Sequence, residues 1–199
     1  MDQTPEAFRA ALSSGDTARV NRSIDEVEDM DLEERAVLFN DCFELCRDLY
    51  EGDDGYQRQS VIRFAAALYP RLAIRTVGAD ITDNALPGEW TLDDIATHRR
   101  QLRALYVEAL VDDDGRVRRA AAKALKDLAL SAEMIGADDE LQTMVDELEA
   151  LAAKHDDAPQ KHIEEAYENV AFHAEKPCGI YRISGTGGVV DAIARPSFC

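Results

Sequence analysis

An acidic turn closed by a glycine, and followed at once by a run of helix formers, occurs twice in this chain. One copy is Val111-Asp112-Asp113-Asp114-Gly115-Arg116-Val117-Arg118-Arg119-Ala120-Ala121-Ala122-Lys123-Ala124-Leu125. The other is Asp53-Asp54-Gly55-Tyr56-Gln57-Arg58-Gln59-Ser60-Val61-Ile62-Arg63-Phe64-Ala65-Ala66-Ala67-Leu68. Aligning Gly55 on Gly115 sets Arg58 on Arg118, Arg63 on Lys123 and Leu68 on Leu128. In each copy the residues before the glycine end one helix and those after it begin the next. The small apolar side chains of the second helix let it pack closely on neighbours. A repeated hairpin of this kind buries its apolar face by stacking on the next copy, which points to a helical array.

Apolar residues three and four apart extend the helical reading along the chain. Thr4-Pro5 starts a first helix that stops near Ser14-Gly15, and Asp16 caps a second carrying Val20, Ile24 and Val27. Asp31 caps a third with the stripe Ala36, Phe39, Phe43 and Cys46. The fourth is expected from about Tyr56 to Tyr69, ended by Pro70. Gly78, Pro87 and Gly88 punctuate the stretch from Arg71 to Leu92, and the single tryptophan, Trp90, closes it. Trp90 either folds back over the repeat core or stands out as a partner anchor. Asp93-Asp94 caps the next helix, the repeat helix runs from Arg116 to about Ala132, and Asp138-Asp139 opens another. A last helix runs from Pro159 to about Ala174. The expected fold is therefore all-α, a short α-α superhelix of about eight helices over residues 1–176. Residues 177–199, with Gly185-Thr186-Gly187-Gly188, form a separate tail or hairpin that lacks the Lys-Ser/Thr of a phosphate loop.

Charge narrows the class further. The chain of 199 residues has 40 acids against 22 bases, a net charge of −18, and its bases are 17 Arg and 5 Lys. An acidic, Lys-poor chain with regular apolar spacing reads as a folded protein adapted to concentrated salt, so a halophilic source is expected. The N-terminus is neither basic nor apolar, and no run of about 18 apolar residues exists to span a bilayer. Four cysteines in this length make no disulfide framework, and a cytoplasmic location follows.

The segment from Asp113 to Leu125 resembles HEAT-type repeats, including the variety shared with bilin-lyase-like proteins. The resemblance implies an α-solenoid offering an extended surface to partners. It also implies that an Asp of the turn and an Arg early in the following helix brace adjacent repeats. Those roles would fall on Asp114 (or Asp113) with Arg118, and on Asp54 (or Asp53) with Arg58. The 60 residues from Gly55 to Gly115 exceed a repeat of roughly 40–47, so an insertion lies between the two copies. Such repeats serve many functions, and the likeness implies no activity.

The bases are not spread evenly. Residues 1–55 carry five bases and sixteen acids, residues 56–126 twelve and nine, and residues 127–176 three and fourteen. Arg99, Arg103, Arg116, Arg119 and Lys123 fall in the basic middle segment and, with Trp90, are the candidate partner-binding residues. The competing expectation is that these arginines pair with acids inside the solenoid. Cys42 and Cys46, one helical turn apart among phenylalanines, read as core. His162 and His173 lie about 16 Å apart along one helix and cannot share an ion, while His98 has no evident partner. No nucleophile elbow, zinc motif or dinucleotide fingerprint is present. The expected function is a non-catalytic scaffold or adaptor binding another protein, without metal or cofactor. A nucleic-acid-binding solenoid is the alternative.

Overall fold

The computed structural model describes residues 3–69 and 91–175. Eight helices account for their regular structure: α1 (Pro5–Leu12), α2 (Thr17–Asp29), α3 (Leu32–Tyr50), α4 (Gly55–Leu68), α5 (Leu92–Ala109), α6 (Gly115–Met134), α7 (Asp138–Ala152) and α8 (Gln160–Glu175). The expected insertion, Trp90 and the 177–199 tail lie outside the described residues.

Side-chain caps set most helix starts. Thr4 accepts from the Ala7 amide with Pro5 in the first turn, and Asp16 accepts from Ala18 and Arg19. Asp31 and Glu34 form a reciprocal capping box at α3. One start differs from expectation. Thr91, not Asp93-Asp94, caps α5, and Asp94 returns the bond to the Thr91 amide from the third helical position. α7 begins at Asp138 behind Ala137, which makes no side-chain cap bond, so Asp138, Asp139 and Glu140 meet the positive end of the helix dipole instead. α6 also runs past Ala132 to Met134. It ends where Gly136 takes φ of +69°, with the Ala137 amide bonded to the Ala132 carbonyl (3.0 Å) and the Gly136 amide to that of Glu133 (3.0 Å).

Successive helices pair as antiparallel hairpins, and the hairpins stack in two layers. The even helices α2, α4, α6 and α8 lie side by side with close backbone approach. Alanines make that possible: Ala65, Ala121, Ala122, Ala124 and Ala166 are all buried there, and the spacing between helix axes follows side-chain size. The odd layer is wider, for α3 and α5, like α5 and α7, hardly approach through their backbones. Long side chains span those gaps instead. Arg47 Nη1 meets Glu108 Oε2 at 2.6 Å between α3 and α5, and Arg99 Nε meets Glu140 Oε2 at 2.9 Å between α5 and α7. A stack narrower on one side curves toward it, so the even helices form the inner, concave layer. One continuous apolar core fills the space between the layers, from Phe8 packed on Phe64 (ring centroids 5.1 Å) through Tyr106 and Leu125 to Leu148 and Val170.

Gly55 and Gly115 occupy the same setting, each opening an even-layer helix behind an aspartate cap. They differ in what a Cβ would meet. At Gly55 it would collide with the Asp114 side chain of the next repeat, which caps α6 through the Arg116 amide. At Gly115 it would touch only the flexible end of Arg118, at 3.3 Å. Gly55→Ala is therefore expected to cost about 1–3 kcal/mol by overpacking. Gly115→Ala is expected to be neutral or up to about 1 kcal/mol stabilising, because it restricts the unfolded chain. Urea midpoints of the two variants measure the difference, and equal midpoints would contradict the close approach of the two turns.

Candidate partner-binding face

The geometry of the turns decides which bases are available to a partner. Asp54 accepts from the Tyr56 amide at 2.9 Å and Asp114 from the Arg116 amide at 2.8 Å. Each caps its own helix, and neither pairs with the arginine three residues after its glycine. Asp54 and Asp114 serve as caps, and the bracing by Arg58 runs to the turn of the next repeat. Arg58 reaches across to the next turn, where Nε meets Asp112 Oδ2 at 2.8 Å and Nη2 meets Asp112 Oδ1 at 2.9 Å. It also pairs with Asp113 and donates to the Gly52 carbonyl of its own turn at 2.9 Å. Tyr50 Oη adds a bond to Asp112 at 2.9 Å. Burial by itself would raise the Asp112 carboxyl, but the bonds from Arg58, the Asp114 amide and Tyr50 outweigh it and hold the group below the usual carboxylate range.

Arg118 repeats half of that arrangement. Its Nη1 donates to the carbonyls of Asp112 (2.6 Å) and Asp113 (3.0 Å) in its own turn. Across the repeat it meets no carboxylate among the described residues, and its Nε points at His162 Nδ1, 3.5 Å away. Burial and the Arg118 charge lower the His162 pKa, which favours the neutral ring that can accept from a guanidinium.

The five central bases do not share one face. Arg99 and Arg103 stand on α5 in the odd layer. Arg99 is buried, with its guanidinium bound to both Glu140 oxygens, and Arg103 Nε meets Glu147 at 3.2 Å. Neither is open to a partner, which corrects their place in the candidate face. Their spacing of four and the spacing of seven from Glu140 to Glu147 put each pair on one helix face, a signal of mutual pairing that the sequence does carry. Arg116, Arg119 and Lys123 stand on α6 in the even layer and are exposed. Arg116 binds its own cap, with Nη2 2.6 Å from Asp114 Oδ2, and through these bonds holds the Asp114 carboxyl down to about 2.

The other two face solvent without a matching acid among the described residues. Every arginine on α1, α3 and α5 is bonded to a carboxylate or a backbone carbonyl. On the concave layer, among the described residues, Arg119 and Lys123 make no ion pair, and Arg63, the repeat counterpart of Lys123, bonds the neutral Asn21, at 3.0 Å. Alanine packing needs no ionic bridge, so these bases are left over. Arg63 and Lys123 flank a groove of about 190 Å³ that also takes in Ile24, Glu28 and the alanines 66, 67, 120 and 124. Ala66, Ala124 and Asp127 are shared with a second, more apolar cavity of about 130 Å³, reaching to Leu102 and Tyr106. Buried Tyr69 also lines it, as do Leu130 and Met134, which are 45% and 44% exposed.

Other candidate chemistry is accounted for by packing. Cys42 and Cys46 are buried, and burial pushes the Cys42 thiol up to about 12 and raises that of Cys46, so neither is a ready nucleophile. His98 has a partner after all: its ring stacks on Phe39 with centroids 3.8 Å apart. His173 Nδ1 meets Glu133 Oε2 at 2.5 Å, joining α8 to α6. Among the described residues no cluster of three or more His, Cys, Asp or Glu is placed to hold a metal, and no helix is long and apolar enough to cross a membrane.

The fold and this face define a class: an all-α, solenoid-like stack of helical hairpins with a two-layer wall. No family model matches the chain, and no curated protein or solved structure does either.

Proposed function

We propose that the protein is a non-catalytic scaffold that binds another protein on its concave layer, in a salt-rich cytoplasm. One observation carries the reading. In a chain with 40 acids for 22 bases, the odd-layer arginines are matched while Arg63, Arg119 and Lys123 of the inner layer meet no acid among the described residues. Bases that stay unmatched amid an excess of acids are placed for something outside the chain. The carboxylate-rich remainder of the surface fits a protein kept soluble at high salt. Nucleic acid competes for the same bases, but Glu28 and Asp127 line the same groove and would repel a phosphate backbone.

Affinity capture from a native high-salt lysate tests the reading. The wild-type chain is expected to retain a protein that the Arg119→Glu, Lys123→Glu double variant loses. Capture of nothing by wild type, or equal capture by both baits, would overturn it.

A further inference from the structure

Three of the four large apolar side chains exposed among the described residues stand at one end of the concave layer. Leu130 and Met134 lie on the last turns of α6, and Phe172, 54% exposed, lies on the last turn of α8. The two helices run side by side and end level, since His173 meets Glu133 across them. Exposed stripes at helical spacing lead into this end, Asp127, Leu130 and Met134 on α6 and Glu168, Phe172 and Glu175 on α8. Behind Leu130 and Met134 opens the cavity of about 130 Å³, with Leu102 and Tyr106 in its wall. Scattered apolar side chains at a surface are ordinary, but a cluster backed by an apolar opening marks a place that something covers.

The surroundings select what covers it. Asp127, Glu168 and Glu175 lie within about one helical turn of the apolar side chains, against Lys126 as the one base among the described residues. Residues 177–199 carry the complementary chemistry: Arg182 and Arg195 against the single acid Asp191, and an apolar run of Ile180, Tyr181 and Ile183. That run lies five to eight residues beyond the end of α8 at Glu175, up to about 16–26 Å of extended chain. Packed helix axes are only about 8–10 Å apart, so the run reaches Met134 with length to spare. A segment tethered this closely acts at an effective concentration of about millimolar, which a separate protein of the same chemistry has to match.

We infer that residues 177–199 of the same chain cover the apolar end of the concave layer, seating Ile180, Tyr181 and Ile183 on Leu130, Met134 and Phe172. Arg182 and Arg195 then face the surrounding carboxylates. Apolar burial supplies most of the attraction, because exposed ion pairs contribute little, and the charges set the orientation.

A photoreactive p-benzoylphenylalanine placed at Met134 of the full chain, followed by irradiation, proteolysis and mass spectrometry, tests this. The adduct is expected within residues 177–199 of the same chain, at a yield independent of protein concentration. The same group at Val37, 75% exposed on α3, is expected to give no such adduct. Ile180→Asp with Ile183→Asp should lower the yield from Met134 at least about tenfold, through loss of buried apolar area. Arg182→Glu with Arg195→Glu should lower it about threefold at low salt, and adding Glu168→Lys with Glu175→Lys should restore it. Melting curves verify that each variant folds. No adduct, an adduct to residues 70–90 or between two chains, equal labelling from Val37, or a yield indifferent to these substitutions overturns the inference. Lys123 and Arg119 lie seven and eleven residues before Leu130, about 10 and 16 Å along α6, so partner capture at those bases is measured separately from this adduct.

Discussion

Arg58→Ala is expected to lower the unfolding free energy by about 3–5 kcal/mol, the cost of breaking a buried ion pair from one side. The Arg58 side chain is 11% exposed and that of Asp112 only 5%, so a largely buried carboxylate would keep only the Tyr50 hydroxyl and the Asp114 amide as partners. Exposed pairs make the contrast. Arg9 with Asp48 and Arg47 with Glu108 are 42–66% exposed, and breaking either should cost about 0–1 kcal/mol. Because Arg58 ties the α3–α4 hairpin to the turn before α6, its loss weakens one joint of a stack held by nearest-neighbour contacts. The transition should therefore broaden as well as shift, with far-ultraviolet circular dichroism and tyrosine fluorescence no longer coincident. Arg58→Met with Asp112→Asn removes both charges and keeps an acceptor for Tyr50 and the Asp114 amide, so it should be more stable than Arg58→Met alone. A loss for Arg58→Ala under about 1 kcal/mol, the level of a surface pair, would remove the brace from the account. The pH window is also set. The folded-state pKa of Asp112 is depressed, so the pair contributes fully above the unfolded carboxylate value of about 3.9 and is lost as pH falls through the folded one.

Much of the architecture was legible because it is written in local chemistry. Periodic apolar residues and the caps at Thr4, Asp16 and Asp31 mark helices whose starts depend only on residues a few positions away. The two Asp-Gly turns gave the stacking unit for the same reason. What sequence did not show is the partner of each arginine. Arg58 is 54 residues from Asp112 and Arg99 is 41 from Glu140, and with 40 acids for 22 bases every arginine has several candidate partners. Which one it meets depends on layer geometry. The alanines of α4 and α6 did hold part of that information, since small residues mark where helices approach closely. Composition groups Arg99 and Arg103 with the exposed bases of α6 because it counts bases without regard to layer. Asp93-Asp94 masks the Thr91 cap in the sequence, because an acidic pair in the first turn carries a cap-like signal two residues later.

The steepest acid sensitivity should come from His98. Its side chain lies between α3 and α5, 3% exposed, with its ring against Phe39. Burial lowers its pKa from 6.5 to about 4, and the Asp94 charge one turn away opposes that only in part. The folded state therefore holds the neutral ring while the unfolded chain takes up the proton first. Stability rises with pH wherever the unfolded state binds more protons, so this contribution is complete above about pH 7 and declines as pH falls through the unfolded value of about 6.5 toward the folded one. Each pKa unit corresponds to about 1.4 kcal/mol, so roughly 2–3 kcal/mol should disappear between pH 7 and about 4.5. Carboxylates titrate across part of the same range, and a variant separates them. His98→Gln keeps a polar side chain that cannot take up a proton at these pH values. The difference in unfolding free energy between wild type and His98→Gln should therefore shift by about 2–3 kcal/mol over that interval, against wild type at the acid end. Parallel pH curves for the two proteins would mean that water reaches the imidazole. The wide layer would then be open between α3 and α5, and the ring stack would not be what spans it.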